Sequence, residues 1–206
     1  STWKAQGTFK RWSFTKIDIP EGDYSKGTVE ITIDTGSIES NADGLTKHMK
    51  ADDFFDAVKF PVAKVSIKNA KPTDKTAEGL QNYEADGTVT IRGISAPVKF
   101  NFTRLSETPL KVKGNATLDR DQFGIYTASD PSNPKSPTKM VPIEFETVIP
   151  SSISVEEAAK AMKKEFNNAG KAMKEAAKKT GNEGMAAGED MQKKADEMKK
   201  GLLAPR

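Results

Sequence analysis

YEADGTVTIRGISAPVKFNF, Tyr83–Phe102, is the stretch that decides the fold. Tyr83, Ala85, Gly87, Val89 and Ile91 occupy alternate positions. Val98, Phe100 and Phe102 resume the alternation after a break at Gly93, with Lys99 and Asn101 between them. Residues two apart line one face of a strand, so each run predicts a strand with one apolar and one wet side. A sheet that is wet on one side is normally antiparallel.

The same period continues outward in both directions. Upstream lie Ala63, Val65 and Ile67, then Val29, Ile31 and Ile33, then Thr15, Ile17 and Ile19, and first of all Trp3, Ala5, Gly7 and Phe9. Downstream come Leu110, Val112, Gly114, Ala116 and Leu118, and finally Val141, Ile143, Phe145, Thr147 and Ile149. Gly36, Gly79, Gly93 and the Glu107-Thr108-Pro109 corner supply breaks. About eight antiparallel strands predict a two-sheet sandwich or a closed barrel. Gly7, Ala85, Gly87, Gly114 and Ala116 put small residues on inner faces. Such positions either relieve crowding where strands bend or leave room for a ligand, and the pattern alone leaves both open.

Asp34–Pro61, DTGSIESNADGLTKHMKADDFFDAVKFP, interrupts the strands. It is far longer than a hairpin turn needs, and it combines a helical patch with Phe54, Phe55 and Phe60 and the single histidine, His48. This reads as a built structure over one end of the sheet. The Phe cluster either plugs that end as core or lines a lipid-sized cavity, since ligand pockets are themselves mostly apolar. His48, Asp52, Asp53 and Asp56 read as helix capping and surface polarity rather than a hydrolytic cluster. Asp119-Arg120-Asp121 reads as an ion-paired strand end. Residues 127–139, TASDPSNPKSPTK, hold three prolines and predict an exposed loop.

The character changes at Pro150. Residues 1–150 form the predicted β domain, and 151–206 an Ala/Lys/Met-rich tail with helical spacing, opened by a capping box at Ser154 and Glu157. Its stripe of Val155, Ala159, Met162, Phe166, Ala169, Met173 and Ala176 is narrow. It suits an edge-on contact with a partner better than burial. The tail carries 12 basic and 9 acidic side chains, leaving 20 of each in residues 1–150, so the net +3 lies in the tail. A neutral main domain argues against nucleic-acid binding.

The chain has no cysteine, which excludes disulfides, thiolate metal sites and cysteine nucleophiles. One histidine supports neither a His-based metal site nor a conventional triad, so no metal, cofactor or catalytic residue is expected. No apolar run is long enough for a membrane-spanning helix. The chain starts at Ser1 on a strand-like pattern without Met or signal peptide, so it is expected to be processed or trimmed.

GTFKRW (Gly7–Trp12), VEITIDTGSIESN (Val29–Asn41), LTKHMKADDFFDAVKFP (Leu45–Pro61), ADGTVTIRGISAPVKF (Ala85–Phe100) and DRDQFGI (Asp119–Ile125) occur in an order and spacing that resembles the YceI-like family. The resemblance implies an antiparallel eight-stranded lipocalin-like barrel, here followed by the amphipathic helical tail. It implies a periplasmic or secreted location, and non-catalytic binding of a long-chain amphiphile of isoprenoid, quinone or fatty-acyl type. Family members have a further strand before the GTFKRW position, so either that strand is missing here or Ser1–Phe9 is recruited differently.

On this reading Ile31, Ile33, Val65, Ile67, Val89, Ile91, Val98, Phe100, Phe102, Ile143 and Phe145 form the cavity wall. Trp12, Phe14, Phe54, Phe55 and Phe123 shape its ends, and His48 and Arg120 mark the polar end. The expected partner is an amphiphilic lipid. Transient contact with a membrane surface, and a homodimer through an open barrel edge or the C-terminal helix, are kept as further expectations. The alternative reading is a structural or interaction protein that uses the helix for self-association or docking.

Overall fold

The computed structural model describes residues 6–20, 23–126 and 138–152, with single positions at 157, 160, 163, 167 and 171. Residues 127–137 of the predicted 127–139 loop, and the helical tail with its capping box apart from residues 151, 152 and those single positions, lie outside the described residues.

The chain orders as β1 (Gly7–Phe9), β2 (Trp12–Asp18), β3 (Thr28–Asp34), β4 (Ile38–Ser40), α1 (Asp43–Lys50), β5 (Val62–Lys75), β6 (Gln81–Ile91), β7 (Ile94–Glu107), β8 (Leu110–Asp119) and β9 (Met140–Ile149). Seven strands form one antiparallel sheet in the order β2-β3-β5-β6-β7-β8-β9. The first expected strand is a correction: Gly7–Phe9 leaves the main sheet and pairs with Ile38–Ser40 in a two-stranded ribbon. Among the described residues β2 and β9 each have a ladder partner on one side only, so the sheet is a curled half-barrel rather than the closed eight-stranded barrel expected.

The curl has local causes. Register shifts fall at Phe14/Lys16 in β2, Lys68/Lys71 in β5 and Arg104/Ser106 in β7. An extra residue on one strand of a pair bends that strand and increases its twist. In β5 the irregularity carries Asn69 at φ 55°, and the Ala70 amide donates to the Tyr24 carbonyl at 3.2 Å. The β6–β7 hairpin closes through Arg92 and Gly93 at φ 54° and 75°, with Ile91 opposite Ile94. Two consecutive left-handed residues give the turn whose twist matches a hairpin.

The inner faces of β6 and β7 make the core: Ala85, Val89, Val98 and Phe100 are all buried. The outer faces carry cross-strand ion pairs instead, Lys99 with Asp86 at 2.8 Å and Glu84 at 3.1 Å, and Lys111 with Glu146 at 2.6 Å. Two inner glycines are not vacant. A methyl at Gly87 would overlap the Phe100 ring, and one at Gly114 would stand 2.5 Å from Phe145 Cζ and 2.7 Å from Phe102 Cβ. Phe102, Gly114 and Phe145 are direct neighbours across β7, β8 and β9. The small residues are slots for aromatic rings, which answers the crowding-or-room alternative at these two positions.

Candidate functional site

The concave face of the sheet is an apolar trough. Its middle is closed by packing: Val89, Ile91, Val98 and Phe100 are buried core. Its flanks are not. Phe14, Ile31, Ile33, Val65, Ile67, Phe102, Ile143 and Phe145 are half-buried, and Trp12 is 42% exposed with its ring edge-on to Phe14 at 5.4 Å. Part of the gradient follows from topology. The edge strands β2 and β9 have one ladder neighbour each among the described residues, which leaves Trp12, Phe14, Ile143 and Phe145 less covered, while Ile31, Ile33, Val65, Ile67 and Phe102 are half-buried on strands paired on both sides.

One end of the trough is plugged by the Asp34–Pro61 segment. After a 3₁₀ turn at Thr35–Ser37, β4 leads into α1, which carries Asp43 in its first turn and Lys47, His48 and Lys50 in its last, as the helix dipole favours. The chain then folds back so that Phe55 is buried, edge-on to Phe9 at 5.4 Å and to Phe54 at 5.0 Å. Arg92 Nη1, on the β6–β7 hairpin, donates to the Phe54 carbonyl at 2.9 Å and clamps the plug to the sheet, while Thr35 Oγ1 donates to the Phe60 carbonyl at 2.8 Å and ties the two ends of the segment together. Asp34 accepts from Arg11 Nε at 2.9 Å, with Arg11 Nη2 at 2.8 Å from the same oxygen, and so ties the ribbon to β3. Phe123 and Ile125 are buried in the same cluster.

The two residues expected at a polar end both lie at this plugged end. His48 is 43% exposed, with Nδ1 3.5 Å from Asp53 Oδ2 and its ring 5.8 Å from Phe54. Arg120 is buried in the turn Arg120–Phe123, whose left-handed Gly124 ends it. Asp119 and Asp121 both reach Lys139 Nζ, at 3.1 and 3.5 Å, so the strand end is ion-paired. The expected helix capping by Asp52 and Asp53 is a correction. They follow α1, and its N-cap residue Ala42 offers no side-chain bond.

The opposite end went unmarked in the sequence reading. Tyr24 stands edge-on to Tyr83 at 5.3 Å, and Tyr83 stacks on Phe102 at 5.1 Å and 10°. Arg104 lies beside them, its Cζ 5.9 Å from the Tyr24 ring centroid. Burial pushes the Tyr83 hydroxyl above its ordinary pKa, against the pull of Arg104. The signal available was parity: Phe100, Phe102 and Arg104 are alternate residues, so the inner row ends in a cation.

Strand order, curl and lining define a lipocalin-like antiparallel β class. The chain belongs to the YceI-like domain family, whose model matches residues 1–149. A UPF0312 protein of Pseudomonas savastanoi pv. phaseolicola is 32% identical over 150 residues, covering 69% of this chain and 72% of that protein. One from Pseudomonas fluorescens is 31% identical over 125 residues, covering 57% of this chain and 63% of the relative's own length. Among solved structures, a Campylobacter jejuni YCEI protein superposes with TM-score 0.55 at 18% identity, over 75% of this chain and 88% of that one. Burkholderia cenocepacia BcnA gives TM-score 0.55 at 22% identity, over 68% and 84%. The two structures share the fold.

Proposed function

We propose that the protein binds and carries a single long-chain amphiphile, of isoprenoid, quinone or fatty-acyl type, along the concave face, without catalysis. The observation that carries this reading is the half-exposed apolar flank formed by Trp12, Phe14, Ile31, Ile33, Ile143 and Phe145 along a trough whose middle is dry core. Apolar surface left in water favours an apolar occupant by about 25 cal/mol per Å² covered, before ordering costs. Family membership supports the reading, and supports a periplasmic or secreted site of action. A further strand between β2 and β9 would complete the barrel around the occupant.

Native mass spectrometry of the freshly purified protein, followed by organic extraction, tests the proposal. The expected result is one long-chain species per chain. Ile31→Asp alters the flank without entering the buried core, so it should stay folded by circular dichroism and lose the adduct. An Ile31→Asp protein that takes up isoprenoid and fatty-acyl probes as wild type does would place the chain elsewhere.

The edges of β2 and β9, which have no ladder partner among the described residues, favour a second reading, self-association by edge pairing. Light scattering coupled to size exclusion separates the two. A lipid-free dimer that does not respond to added amphiphile supports edge pairing, and a lipid-loaded monomer supports carriage.

A further inference from the structure

The two ends of the trough differ in chemistry. β6 runs from Gln81 at one end to Ile91 beside the plug, a span of roughly 33 Å at strand rise. At the Gln81 end a cleft of about 290 Å³ is lined by Lys75, Leu80, Gln81, Arg104, Leu105 and Glu107, among others. Lys75 stands opposite Gln81 in the ladder, and Gln81 is in the same alternate row as Tyr83. Next in the same row, the buried Tyr83 stacks on Phe102, which neighbours Gly114 and Phe145 across the ladder.

A guanidinium on an apolar inner row is costly unless it is paired. Arg104 is 28% exposed and is held from two sides. On one side its Cζ lies 5.9 Å from the Tyr24 ring centroid, and the interaction with the Tyr24 side chain is the largest influence raising its pKa further above the ordinary arginine value. On the other side Nη1 lies 3.4 Å from Glu107 Oε1, and that carboxylate is 72% exposed. The Glu107 contact is long, sits in water and joins two residues of β7 across its register shift, a pair worth little. Five N–H donors meet two partners, which leaves capacity for an incoming anion bound through two oxygens.

We propose that this end is the head-group site. The amphiphile's chain lies along the trough, and its anionic head group, a carboxylate or phosphate, binds Arg104 in place of Glu107, with Lys75 as a second cation at the rim. This rests on the carrier reading above and adds that the head group is anionic and lies away from His48 and Arg120.

The test uses the full chain and measures displacement of a fluorescent fatty-acyl probe by hexadecanoate and by hexadecanamide, which share a chain length and differ in charge. Wild type should favour the carboxylate by about tenfold or more, as a charge-assisted bond predicts. Arg104→Leu should bring the ratio close to one. Glu107→Gln, a change at an exposed position, should widen it about two- to fivefold by removing the competing carboxylate. A ratio unchanged in folded Arg104→Leu overturns the proposal. If that variant does not fold, an unchanged or smaller ratio in Glu107→Gln overturns it.

Equal binding of both ligands by wild type removes the head-group site and leaves the carrier reading standing, whereas binding of neither removes both. Millimolar inorganic phosphate should not displace hexadecanoate. Displacement by phosphate would make this a free-anion site and sink the proposal.

Discussion

Replacing Gly114 by alanine tests whether the inner glycines are ring slots. The added methyl would meet three groups at once: the Asn101 carbonyl oxygen, Phe145 Cζ at 2.5 Å and Phe102 Cβ at 2.7 Å. Only the Phe145 ring can swing. The Asn101 carbonyl belongs to the β7–β8 ladder, where Asn101 faces Asn115, so it moves only if the strands do. Overpacking of this kind costs about 1–3 kcal/mol. For a domain of this size each kcal/mol shifts Tm by roughly 2–4 °C, so a fall of about 2–12 °C is expected. Gly44 is the internal control. It is the second residue of α1 and has nothing within 4 Å of an added Cβ. Alanine there should be neutral or stabilising by up to about 1 kcal/mol. Thermal and urea unfolding of the two variants should therefore show opposite signs. A Gly114→Ala protein within about 0.5 kcal/mol of wild type would refute the packing argument. The same substitution pushes the Phe145 ring into the trough, so amphiphile uptake should fall along with stability.

Two other changes probe the clamp and the outer face. Arg92→Ala removes the bond to the Phe54 carbonyl and should cost about 1–3 kcal/mol in urea unfolding, with Arg92→Gly milder by about 1 kcal/mol because glycine accepts φ 54° freely; equal costs for the two would separate the turn from the strain. The Lys99 hydrogen bond, followed by that from Asn69, holds the Asp86 carboxyl below its usual range, and Asp86 and Glu84 in turn raise Lys99. A depressed carboxylate contributes stability above its unfolded pKa and loses it as pH falls through the folded value. The stability gap between wild type and Lys99→Met should thus be widest near neutral pH and close on acidification, and high salt should narrow it; a gap constant down to about pH 2 would contradict the linkage.

Period-two alternation located the strands of the main sheet because each has one dry face, a local property of the sequence. Their lengths were less legible. β5 continues through Lys68–Lys75 and β7 through Thr103–Glu107, where polar residues hide the strand while backbone pairing with β6 and β8 continues. Pairing partners are a long-range property, which is why Gly7–Phe9 read as a member of the main sheet although it pairs with Ile38–Ser40. The glycines posed the same difficulty. Whether Gly87 and Gly114 are vacant depends on the rings of Phe100 and Phe145, which reach them only once the register is set.

The polarity of the site follows from these ladders. His48 and Arg120, which the family resemblance put at a polar end, both sit where the Phe54–Phe55 plug and the Arg92 clamp close the trough, so a chain entering there would have to displace core packing worth several kcal/mol. At the other end the strands stop at hairpins, Lys75–Gln81 and Glu107–Leu110, with no helix packed against them among the described residues. An amphiphile has a dry part and a wet part, and the trough has one closed end and one end rimmed by Tyr24, Lys75 and Arg104. Matching the two orients the ligand with its chain terminus toward Phe55 and its head toward Arg104. A bromine label at the chain terminus should then quench a tryptophan placed at Phe54, and a label beside the head group should not; the reverse pattern would invert the assignment.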